Sequence, residues 1–222
     1  MPELIHPPLP LALADDAPWT HHDLTKARAL IDRPPAPGDV FLWLVPSEFR
    51  FASASNVGNW LTLGERRRAR LHPNSAIGRR FGVARATLRL VLSHMFHCTP
   101  GEVLIEDGPD ERIVVSDPRG GGVLCVDVAY SGIWIVIAAA SAKIGIGLTV
   151  DATGEDAMWA ESARIGMNRA QRAVTDTSRW RGLALPMPGE IRGVVALDRP
   201  VARVVAFGWD RLPDFGVRAA LS

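Results

Sequence analysis

Residues 123–150 read VLCVDVAYSGIWIVIAAASAKIGIGLTV, and this stretch decides the fold. Valine and isoleucine dominate it, and β-branched side chains suit a pleated, buried surface. The spacing predicts three strands over residues 123–129, 133–140 and 144–150. Turns at Ser131-Gly132 and around Ser141 to Lys143 separate them. A membrane-spanning helix requires about 20 consecutive apolar residues. Ser141 and Lys143 interrupt this run, and Gly132, Gly145 and Gly147 sit in or beside it. Within residues 132–150, two buried strands joined by a short turn are therefore the reading.

Upstream, residues 63–97 form the clearest helical region. They carry Arg66, Arg67, Arg68, Arg70, Arg79, Arg80, Arg85 and Arg89. A break is expected near Pro73 and a restart at Ser75 or Ala76. From Phe81 onward, Ala84, Leu88, Val91, Leu92 and Met95 recur at threes and fours, the period of an amphipathic helix. Pro100 ends it. Short strands are expected at 103–106 and 113–115, then a glycine-rich turn at 117–122. A strand at 40–45 follows the proline-rich connector RPPAPGD at 33–39. The first eighteen residues, with five prolines, read as an extended surface arm rather than a signal peptide. Downstream, residues 157–174 read as a second helix. Pro186 and Pro188 break the chain, and 194–197 with 201–207 read as a hairpin joined near 198–200. The order predicts an α+β fold in two similar halves, residues 1–122 and 123–222.

The 222 residues are 47% hydrophobic and 22% charged, with a formal net charge of +1. This is a globular composition. The charge balance lacks the basic signature of a nucleic-acid binder. Cys98 and Cys125 are too few for a disulfide framework, and a reducing cytoplasm is the expected setting. No Walker A loop, nucleophile elbow or dinucleotide fingerprint occurs. The six histidines form no metal-ligand pattern.

Four segments in order resemble one family. Leu63-Gly64-Glu65-Arg66, with Arg80-Phe81 and Ala84-Arg85-Ala86-Thr87-Leu88-Arg89, is similar to the first half of 4′-phosphopantetheinyl transferases of the surfactin-synthetase type. Thr99-Pro100 before Val103-Leu104-Ile105 resembles the family's next helix-to-strand passage. Asp127 to Trp134 resembles Asn-x-Ser-His-Ser-Gly-x-Trp. Ile144-Gly145-Ile146-Gly147-Leu148-Thr149 resembles Ile-Gly-Val-Asp-Ile-Glu. The resemblance implies two pseudo-symmetric α+β halves with coenzyme A between them. It also implies magnesium on the pyrophosphate and transfer of the phosphopantetheine arm to a carrier-protein serine.

The functional positions depart from that pattern. Tyr130 stands for the phosphate-contacting histidine, and Ala129 for the preceding serine. Gly147 replaces the metal-binding aspartate, and Thr149 the following glutamate. If Trp180 matches the tryptophan of the family's Trp-x-x-Lys-Glu-Ala helix, Leu183 and Ala184 occupy its Lys and Glu places. Asp127, Tyr130, Asp151 and Glu155 remain as catalytic candidates. Asp151 is the weak metal candidate, because it lies two residues, about 6–7 Å along a strand, beyond the family glutamate. Solvated acids, or charges favouring a helix N-terminus, are the plainer reading of Glu155 and Asp156. For coenzyme A the resemblance points to Arg66, Arg70, Arg80, Arg85, Arg112 and Ser131. Arginine's planar fork grips phosphate oxygens, and an ordinary solvated helix face is the alternative.

Three functions follow as expectations. One is a binding or scaffolding protein that has lost the transfer reaction. It would act with an acyl or peptidyl carrier protein, or a biosynthetic enzyme subunit, in polyketide, fatty acid or peptide synthesis. Another is an active transferase with a rebuilt site, and the third a different enzyme for acyl or pantetheine-linked substrates. Coenzyme A is the expected cofactor, with magnesium disfavoured. A monomer or hetero-oligomer is expected, without nucleic acid or a membrane span.

Overall fold

The computed structural model describes residues 12–14, 16–26, 31–48, 58–108, 113–120, 122–150, 155–170 and 178–209. The fold is α+β. A seven-stranded mixed sheet has the order β2 (Trp19–His22), β11 (Arg203–Phe207), β3 (Asp39–Pro46), β7 (Trp134–Ala140), β6 (Val123–Ser131), β5 (Ile113–Ser116), β4 (Leu104–Asp107). A four-stranded sheet has the order β1 (Ala12–Leu13), β9 (Arg181–Leu185), β10 (Arg192–Leu197), β8 (Ile144–Thr149). The helices are α1 (Leu63–Leu71), α2 (Ser75–Met95) and α3 (Glu155–Ala170).

The core is layered. Leu88 and Leu92 of α2 pack with Trp43, Val45, Ile135 and Ile137 on one face of the large sheet. The opposite face offers Leu42, Leu44, Val136 and Ala138 to Ile144, Ile146, Val195 and Leu197 of the small sheet. Met167 and Ala170 of α3 meet Ala196 on that sheet's far side. Alternation along each strand sorts its residues between these layers. The three expected strands of residues 123–150 all form, with β6 antiparallel to β7. The third strand, β8, leaves for the other sheet and pairs with β10.

The helix break near Pro73 also appears. Thr62 and Glu65 form a reciprocal capping box at the start of α1, and the Asn74 side chain accepts from the Ala76 and Ile77 amides to start α2. Gly78 lets the helices meet, because a methyl there would overlap the Ala69 carbonyl.

Two expectations are corrected. Residues 194–197 and 201–207 form no hairpin, since β10 and β11 lie in different sheets. Asp198 exchanges hydrogen bonds with the Lys143 backbone and pins the end of β10 to β8. Arg203 then pairs with Asp39 and sets β11 parallel to β3. The N-terminal arm is likewise not merely surface chain: within its eighteen residues, 12–13 form a strand and Ala17 is buried. Both sheets draw strands from either side of Gly122. No described helix is long and apolar enough to cross a membrane.

Candidate functional site

A cleft of about 510 Å³ opens where α1, α2, α3 and the ends of β4, β6 and β8 converge. Its apolar walls are Phe81, Ala84, Ile113, Val128, Ala129, Ile146, Leu148 and Ile165. Among the described residues, Arg68, Arg85 and Arg169 line it, with Asp107 as the one lining carboxylate. Tyr130 stands in the wall and is 40% exposed, so its hydroxyl is in reach of a ligand. Burial pushes its phenol above the ordinary range, with the Arg85 and Arg68 charges opposing. At neutral pH it is therefore a neutral hydrogen-bond donor.

Each lining arginine has a carboxylate partner, Asp107 for Arg68 and Arg85 and Asp127 for Arg169. Arg85 pairs with Asp107 and lies 3.9 Å from Glu65. Arg89 takes Glu65 bidentately at 2.8 and 3.2 Å and also donates to the Pro100 and Val103 carbonyls. Burial raises the Glu65 carboxyl. The Arg89 and Thr62 hydrogen bonds, with the Arg89 and Arg85 charges, outweigh that and hold it below its ordinary value. Burial lowers the Arg85 guanidinium, against the opposing Glu65 charge. Arginine nonetheless stays protonated in proteins.

The predicted site residues divide. Arg85 and Tyr130 line the cleft. Arg80 reaches its rim, donating to the Gly132 carbonyl at 2.7 Å with its guanidinium 6.0 Å from the Tyr130 ring centre. Arg66 donates to the Gly58 carbonyl, and Arg70 is exposed on α1; neither lines the cleft. Ser131 is buried opposite Trp134 where β6 turns into β7. Arg112 and Asp151 fall outside the described residues, as does the Glu155 side chain at the start of α3. Sequence reasoning missed Arg68, Arg169, Asp107 and Phe81 as lining. Arg169 lies in the second helical region, whose arginines at polar positions were the available signal.

Asp127 is a structural group and not a free acid or base. Its carboxylate accepts from Arg169 at 2.8 and 2.6 Å, from the Ile146 amide at 2.7 Å and from the Val128 amide at 2.8 Å. Its lone pairs are thereby engaged.

The magnesium implied by the resemblance does not fit the described residues. On β8, Gly145, Gly147 and Thr149 face α3. A methyl on Gly147 would overlap the Ser162 carbonyl oxygen, and one on Gly145 the Gly166 carbonyl oxygen. No carboxylate could stand at 147 without displacing the helix. Thr149 instead meets the Ser162 hydroxyl at 2.7 Å, and that hydroxyl donates to the Arg192 carbonyl at 3.2 Å. Magnesium requires hard oxygen ligands at about 2.0–2.1 Å. Among the described residues, no three His, Cys, Asp or Glu side chains converge to supply them.

The tryptophan match is also corrected. Trp180 precedes β9, so Leu183 and Ala184 lie on a strand and not a helix. Trp159 does lie on a helix, α3, where it is followed at three and four residues by Ser162 and Ala163. That helix, too, offers neither lysine nor carboxylate at these places. Cys98 and Cys125 are free, and burial pushes both thiols up, away from nucleophilic character. Compared with known proteins, the chain matches no protein-family model and no curated sequence.

Proposed function

We propose that the protein is a 4′-phosphopantetheinyl transferase-like binding module that holds coenzyme A, or a pantetheine-bearing partner, without transferring the arm. Its partner in this reading is an acyl or peptidyl carrier protein, or an enzyme subunit, of carrier-dependent biosynthesis. One observation carries the reading. The cleft sets Arg68, Arg85 and Arg169 around an apolar cavity, while β8 is closed directly against α3 where the related enzymes place their metal carboxylates. Guanidinium groups suit a phosphate, and the apolar walls suit the pantetheine chain. Transfer would further require a cation on the pyrophosphate and a group to take the serine proton. Asp127 is committed to Arg169, and Tyr130 is neutral and hydrogen-bond donating.

The test pairs chemistry with binding. Incubation with coenzyme A, magnesium and an apo carrier protein should leave the carrier's mass unchanged. A gain of one phosphopantetheine arm overturns the proposal in favour of an active transferase. Calorimetry without metal should detect coenzyme A binding that weakens about tenfold in Arg68→Ala, the loss expected for one charge-assisted contact. No heat with the unaltered protein defeats the coenzyme reading.

A further inference from the structure

We infer that Arg68 and Arg85 form an oxyanion site, for a phosphate monoester or pyrophosphate group, that Asp107 keeps closed by standing in for the ligand. The inference rests on the reading of the cleft as an anion site. Two guanidinium groups from different helices converge on one ring. Arg68 lies 4.6 Å and Arg85 5.5 Å from the Phe81 ring centre. Contact with an aromatic face orients a guanidinium and leaves its N–H edge free to donate. Both arginines then meet the same carboxylate. Asp107 accepts from Arg68 Nη1 at 3.1 Å and pairs with Arg85 through Nη2.

Asp107 satisfies this pair incompletely. The Arg85 side chain is only 6% exposed, yet its Nη1 is buried with no hydrogen-bond partner among the described residues. Such a donor is costly to leave unmet. A carboxylate brings two oxygens and one charge. A phosphate monoester brings three terminal oxygens and about two charges. The three groups also differ in freedom. Arg85 is fixed by burial beside Glu65, whereas the Asp107 side chain is 42% exposed and ends β4 just before Gly108. The exchange is therefore Asp107 out to solvent and oxyanion in, with no bond made or broken.

The experiment titrates inorganic pyrophosphate, and separately coenzyme A, without metal. The proteins are the unaltered chain, Asp107→Asn, Asp107→Ser, Arg68→Gln and the Asp107→Asn/Arg68→Gln double variant. Pyrophosphate should bind about tenfold tighter or more to both Asp107 variants, since a competing charge is gone. That gain should vanish in the double variant, and Arg68→Gln alone should bind more weakly than the unaltered chain. Equal or weaker binding by both Asp107 variants overturns the inference, as does no binding by any protein. Arg68 is 59% exposed, so Arg68→Gln is expected to fold even if both Asp107 variants do not. Unchanged pyrophosphate affinity in it overturns the inference as well. Coenzyme A separates the two readings. Tighter pyrophosphate binding without any coenzyme A binding upholds the closed site and defeats the coenzyme reading. Coenzyme A binding that ignores Asp107 does the reverse.

Discussion

Gly147 shows how one residue can decide between a metal site and a packed interface. The resemblance sets a carboxylate at this place, but the sequence does not say what fills the space. That depends on the distance between β8 and α3, which no local pattern encodes. We expect Gly147→Asp not to confer transfer. It should cost about 3 kcal/mol or more, through overpacking against backbone that cannot yield. Gly101→Ala meets nothing within 4 Å and should stay within about 0.5 kcal/mol of the parent. Urea denaturation of both variants checks the contrast, and a well-folded, equally stable Gly147→Asp would refute it. Arg85 and Tyr130 were legible as site residues because their segments resemble known motifs. Arg68 and Asp107 were not, because only the tertiary approach of α1 to β4 unites residues 39 positions apart.

At the scale of elements, buried ion pairs join what the hydrophobic layers leave apart. Glu65 ties the start of α1 to Arg89 in the middle of α2. Its folded-state pKa lies below the unfolded value, so its stabilisation is complete above roughly pH 4.3. It is lost as pH falls through the folded-state value. Glu65→Gln should therefore destabilise at neutral pH by about 3 kcal/mol, leaving Arg89 without its charge partner. The penalty should shrink toward pH 3. Denaturation curves at both pH values test this, and an equal penalty at each would count against it. The Arg169–Asp127 pair joins α3 to β6 in the same way, and the Ile146 amide adds β8. Arg169→Met should cost about 3–5 kcal/mol, because a buried carboxylate loses its counter-charge. An Asp127→Asn/Arg169→Met double variant should recover part of that loss in a thermal melt. The helices themselves were readable from period and from the prolines at 73 and 100. Their ion-pair partners were not, since sequence pattern reports a buried face and not what lies opposite it.

For the whole molecule, strand content was legible and strand order was not. Residues 192–207 carry two good strands, but proximity in sequence wrongly favoured pairing them with each other. The strand β11 instead enters the large sheet between β2 and β3. A fragment of residues 1–122 contains β3 without either of its neighbours, β7 and β11. It should lack dispersed amide resonances alone and gain them when residues 123–222 are added. A fragment that folds unaided would refute this. The same placement bears on synthesis. The N-terminal end of the chain emerges from the ribosome first, yet β3 waits for residues 203–207 before its second edge is covered. Until then a valine- and leucine-rich strand stands open, ready to pair with another chain. Translation that stops or slows before residues 203–207 thus leaves β3 open to aggregation.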